Sequence, residues 1–348
     1  MAATVAAVSD VDQPTARERR SRLVGIKLRT LVREHLGDDS VAEPVVFAPG
    51  AALLHHDAAW VLLDDRPADR LGAALVWAVR EGAASLDVIA DTEADAGALA
   101  RRGAAFSMPL TVWRADGRRL LPAGATALPV SQPAPPEHET LRQLIIDGGA
   151  EPLVEHGVLF GEVRGLEICR VVDDPYQHIV RLEVGVGAHD REAFQMMHGD
   201  VPTVESLARI VTAVESHRNV GASPHPLNRL GAERLLRWRL EQAPDLVGAA
   251  EIRPAVPPLP RPNLKDPVPC VATGVAHTGQ PVRVVCAVGV DLDLIPYAAD
   301  ARLAAEAVEP GAGDSERLVV VTPSRDRLPV VEQLAGLLRQ PVELVSVD

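Results

Sequence analysis

Lysine is nearly missing from this chain of 348 residues: of its 35 basic residues only two, Lys27 and Lys265, are lysines, and the rest are arginines. The shortage removes whole chemistries. No GxxxxGK[ST] loop is present, so a Walker-type NTPase is not expected. A Schiff-base enzyme would have to use Lys27 on a surface helix or Lys265 in a proline-rich loop, and neither place is dry enough to depress an amine. Cysteine is also scarce. Cys169, Cys270 and Cys286 are far apart, with no CxxC pair, which argues against a disulfide framework and against a zinc knuckle. Aromatic residues make up 3% of the chain, poor material for a platform that stacks single-stranded bases. Apolar runs are broken by charge well short of the ~18 residues of a membrane span, and the first residues lack a basic region followed by an apolar one. A cytoplasmic protein with no membrane partner is therefore expected.

What remains is globular in composition, with 47% hydrophobic residues in a chain long enough for about two domains. The net charge of -13 repels polyanions at long range, so a nucleic acid is a possible but disfavoured partner. A homo-oligomer stays open.

The pattern along the chain alternates helix and strand, which places it in the α/β class. Residues 1–14 read as a disordered tail. Thr15 and Glu18 form a TxxE capping box for a helix whose apolar stripe is Leu23, Ile26, Leu28, Leu31, Val32 and Leu36, with arginines on its other face. Two strands follow around a turn near His56 and Asp57, and then helix, strand, helix, strand up to 121. The proline-rich stretch 122–139 reads as a linker. The remainder, 140–348, reads as a second α/β module with a helical insertion and a proline-rich loop at 253–269. Its strands are expected at "GEVRGLEICRVV" and "HIVRLEVGVG", and its end repeats the strand, acidic corner, helix, strand, helix, strand rhythm of the first module. Two related mixed-sheet modules with flanking helices are expected.

The segment "RLVVVTPSRDRLPVVEQLAGLLRQPVELVSV" and the run from Asp57 to "DDR" at Asp64, Asp65 and Arg66 carry a likeness at fold level. The chain resembles the restriction-endonuclease-like superfamily of PD-(D/E)xK nucleases. The resemblance implies that Asp57 stands at the metal-binding Asp, Asp64 at the second acid and Arg66 at the lysine. Arginine stays protonated and cannot take up a proton as that lysine does, so the pattern is that of a degenerate site.

In the second module the acids Glu162 and Glu167 are expected on one strand, with Glu183 on the next and facing Glu167. Paired acids of this kind suit Mg²⁺ or Mn²⁺. His189 and Asp190 extend this candidate metal set, and Glu162, Glu167, Glu183, Asp57, Asp64 and Arg66 are the candidate catalytic residues. Here "EVG" stands where the nuclease pattern has ExK, so lysine is missing again. A silent binding or scaffold protein, a metal-dependent nuclease or phosphodiesterase, and an enzyme of a small phosphorylated or acidic metabolite are the three functions considered.

Overall fold

The computed structural model describes residues 15–174, 178–187, 190–192, 196, 203–219, 225–261, 263, 266–308 and 315–348. The expected tail at 1–14 lies outside them. The chain is mixed α/β and divides into two compact units, Met1–Thr126 and Ala127–Asp348, a boundary inside the proline-rich stretch 122–139.

Unit 1 opens with helix α1 (Ala16–Leu36), started by the reciprocal Thr15–Glu18 capping box and stopped by Gly37 in the left-handed region. Six strands follow: β1 (Val45–Phe47), β2 (Gly50–His55), β3 (Ala58–Leu63), β4 (Ser85–Ala90), β5 (Leu110–Asp116) and β6 (Arg119–Pro122). They lie in sequence order in one sheet. The pairs β3–β4 and β4–β5 are parallel and the others antiparallel. Helices α2 (Leu71–Arg80) and α3 (Glu93–Gly103) make the two crossovers that parallel pairing demands.

Strand alternation sorts the core. Leu53, Trp60, Leu62 and Ile89 pack against Val24, Leu28, Leu31 and Val32 of α1, and the residues between them serve the other face. The α1 stripe is narrower than the sequence pattern predicts. Leu23, Ile26 and Leu36 are exposed, and Val24 takes a place in the core. A helix lying on a sheet buries only the residues that point straight down.

Unit 2 differs from the single module expected over 140–348, because it holds two sheets. Short helices α4 (Pro136–Glu139) and α5 (Arg142–Asp147) precede the four-stranded antiparallel sheet of β7 (Glu151–Glu155), β8 (Val158–Val163), β9 (Leu166–Asp174) and β10 (Ile179–Val184), in the order β10-β9-β8-β7. Helix α6 (Val204–His217) and α5 cover its apolar face. Helix α7 (Ala232–Gln242) leads into the second sheet, β11 (Ala249–Ala255), β12 (Cys270–Ala276), β13 (Pro281–Cys286), β14 (Arg317–Thr322) and β15 (Glu343–Ser346), with α8 (Leu294–Val308) and α9 (Pro329–Gly336) as crossovers. Strand β11 runs into the stretch expected as a proline-rich loop and tolerates Pro254 because it is a sheet edge.

This second sheet has the pairing order of the first five strands of unit 1, and β6 has no counterpart in it. A leading helix is followed by two antiparallel pairings and then by two parallel ones, each crossed by a helix. No described helix is long and apolar enough to cross a membrane.

Candidate functional site

The strand expected at 161–172 is broken in the middle. Arg164 and Gly165 both have positive φ, 50° and 77°, the backbone of a tight two-residue hairpin turn. Glycine is required here twice over. Besides its φ, a Cβ on Gly165 would fall 2.4 Å from the backbone of Arg234 on α7. The turn moves Glu162 and Glu167 from one strand onto two, β8 and β9, where they are direct cross-strand partners. The residue opposite Glu183 is Arg170, not Glu167.

Alternation about this hairpin gives the four-stranded sheet one apolar and one charged face. The charged face meets α7. Arg237 donates to Glu162 Oε2 at 2.5 Å, Arg234 to Glu162 Oε1 and, at 2.6 Å, to Glu155 Oε2. Arg237 Nε also reaches Glu241 Oε1 at 2.8 Å. Glu162, Arg234 and Arg237 are all buried. Burial by itself would push the Glu162 carboxyl up, but the guanidiniums of Arg237 and Arg234 outweigh it and hold the group at about 2. A carboxylate with both oxygens engaged and so low a proton affinity makes a poor general base near neutral pH.

Glu167 is equally surrounded. It accepts from Arg170 at 2.8 Å, Arg261 at 2.9 Å and Arg191 at 3.3 Å. Another nitrogen of Arg191 lies 3.6 Å from Glu183 Oε2, and Glu183 also accepts from Arg181 at 2.9 Å. A guanidinium thus bridges the two acids expected to share a metal ion. Between Glu167 and Glu183, the pair expected to hold Mg²⁺ or Mn²⁺, lies the Arg191 guanidinium, a planar monovalent cation. Asp190 is exposed, and His189 lies outside the described residues. Trp238 stacks with protein, since the Arg164 guanidinium sits 5.2 Å over its ring.

In unit 1 the expected set comes apart. Asp57 lies in the hairpin turn before β3 and Asp64 just beyond its end, so roughly 20 Å of extended chain separates them. One metal ion cannot touch both. Asp64 accepts from Arg20 Nε at 2.6 Å, and Arg66, in the left-handed region at φ 48°, donates to Asp69 at 2.8 Å.

Two other features of unit 1 went unread in the sequence. A cleft of about 710 Å³ runs between α1 and β1, lined by Arg22, Ile26, Arg29, Arg33, Val45 and Val46. At the opposite end of the β2–β3 hairpin from Asp64, the side chains of Asp38, His55 and His56 converge, one ligand atom from each lying within 4.8 Å of the others. The signal available for the second was the His-His-Asp turn, but Asp38 joins it only because Gly37 reverses the chain after α1. No family model, curated protein or solved structure matches the chain.

Proposed function

We propose that the chain is a catalytically silent binding protein built on a doubled, restriction-endonuclease-like framework in the cytoplasm. One observation carries this reading: the acids that a nuclease would give to its metal are held by arginines, Glu162 by Arg234 and Arg237, Glu167 by Arg170, Arg191 and Arg261, and Asp64 by Arg20. At Glu162 and Glu167 the arginines engage both carboxylate oxygens, the ones a metal or an activated water would need, and at Asp64 Arg20 engages one. The three buried, free thiols agree with a reducing compartment.

For binding, unit 1 offers the α1–β1 cleft. Val45 and Val46 are exposed on a sheet edge paired on one side only, beside Arg22, Arg29 and Arg33. An extended acidic polypeptide fits it: the backbone pairs with the edge strand, one carboxylate meets Arg22, and others exchange with the exposed Glu43 and Asp39 for Arg29 and Arg33. Unit 2 contains its own example of this pairing, because the arginines of α7 are covered by glutamates of a strand hairpin.

The test has two arms. Plasmid DNA, an RNA oligonucleotide and bis(p-nitrophenyl) phosphate are incubated with the full chain and Mg²⁺ or Mn²⁺, and no turnover above buffer is expected. Metal-dependent hydrolysis lost in Glu167→Gln or Asp64→Asn overturns catalytic silence. In the second arm, a labelled peptide alternating Glu and Val is titrated by anisotropy. Salt-sensitive binding, lost in Arg22→Glu, is expected, and binding that ignores this change overturns the cleft assignment.

A further inference from the structure

We propose that Asp38, His55 and His56 form a binding site for a first-row divalent transition-metal ion of the zinc type. The site is separate from the arginine-filled positions, and it does not depend on the reading of those positions.

Its three ligands come from two pieces of backbone that the fold forces together. Helix α1 stops at Gly37, whose φ of 65° turns the chain back and whose N–H bonds to Arg33 O, so that Asp38 lies against the far end of β2. His55 closes β2. His56 occupies the hairpin corner at φ 55°, a conformation that sets its ring beside that of His55, with centroids 4.3 Å apart. Asp38 Oδ2 lies 3.4 Å from His55 Nε2. Donors about 2.0–2.2 Å from a common ion sit roughly 3–4 Å from each other, so small rotations of these side chains complete the set.

The supporting contacts are also in place. The Ser40 N–H donates to Asp38 Oδ1 at 2.7 Å, which fixes the carboxylate and leaves Oδ2 for the ion. The adjacent acid does not compete, since Asp39 is paired with Arg33. The carbonyls at the C-terminal end of α1 add negative partial charge on the same side.

Donor chemistry chooses the class of ion. Two imidazoles favour zinc, cobalt or nickel over magnesium and calcium, which prefer oxygen alone. Three protein ligands leave a tetrahedral ion with one position for water. Bound there, the ion would tie the end of α1 to the β2–β3 hairpin.

The experiment uses the full chain, freed of metal by chelation and titrated calorimetrically with Zn²⁺, with Co²⁺ absorbance as a readout of the donor set. The expected result is one ion per chain and a visible Co²⁺ spectrum of nitrogen and oxygen ligands. His56→Asn tolerates the left-handed backbone, and Asp38→Asn keeps the Ser40 bond. Each should weaken Zn²⁺ binding by at least about tenfold, whereas His277→Asn, at an exposed histidine elsewhere, should leave it unchanged. No uptake by the natural chain, or equal affinity in all three variants, overturns the proposal.

Discussion

The helices that lead the two sheets of like pairing order, α1 and α7, each pack an apolar side on the sheet that follows and carry arginines on another. Their arginines meet different fates. Arg22, Arg29 and Arg33 of α1 line an open cleft, the last two in exposed pairs with Glu43 and Asp39, and Arg234 and Arg237 of α7 are buried against the glutamates of an additional four-stranded sheet. One architecture therefore has an open and a covered version. The difference teaches that Glu155 of β7 and Glu162 of β8 serve the arginines of α7.

The largest effect that would test this contrast comes from Glu162→Gln. It leaves Arg234 and Arg237 buried with their main anion gone and should destabilise unit 2 by about 3–5 kcal/mol in urea unfolding. Asp64→Asn, which releases the exposed Arg20 in unit 1, should change nothing measurable. Equal losses in the two variants would erase the distinction between the covered and the open helix.

Next in size is acid. The Glu162 carboxyl titrates at about 2 in the fold against 4.5 ordinarily. Its stabilisation is complete above about pH 4.5 and is lost as the pH falls through 2, so the gap between natural chain and Glu162→Gln should close over that window. Circular dichroism on acid titration of both proteins follows it, and a gap that stays constant would show that the ion pair is not its source. Gly165→Ala should cost about 1–3 kcal/mol by thermal unfolding, since alanine meets both the positive φ and the backbone of α7. A neutral result would mean that β8 and α7 are not held in close contact.

The smallest effect belongs to Asp87 in unit 1, which accepts from Trp113 Nε1 at 2.8 Å. Burial raises its carboxyl above the ordinary range, and the Trp113 bond and His35 only partly offset this. With a raised value in the fold, stability is greatest when the group is protonated and declines as pH rises through it. Asp87→Asn should therefore raise the melting temperature slightly at pH 8 and leave it unchanged at pH 3. Burial prevails at Asp87 and cations prevail at Glu162, and a fall in melting temperature at pH 8 would remove this second contrast.

Much of this architecture was legible because it is written in local pattern. The Thr15–Glu18 box, the apolar runs of β3, β4, β13 and β14, and the alternation of strand and helix all act over a few residues. The Arg164–Gly165 turn was missed because arginine carries no preference for the left-handed region, and that one error placed Glu162 and Glu167 on a single strand. The acids of the charged face were readable as candidates, but their meaning depends on Arg234, Arg237 and Arg261, which lie 72 to 94 residues further along. The Asp38–His55–His56 convergence was hidden for the same reason, as it exists only once α1 has been turned back onto the hairpin.

Helix α7 has one further consequence. It offers Arg234 and Arg237 to one sheet of unit 2 and Leu236 and Leu240 to the core of the other. If that helix leaves, the buried Glu162 of the first sheet loses its cations and the second sheet loses part of its apolar cover. Amide hydrogens in β8 and in β12 should therefore exchange through the same opening event, with one free energy and one dependence on denaturant, as members of a single cooperative folding unit.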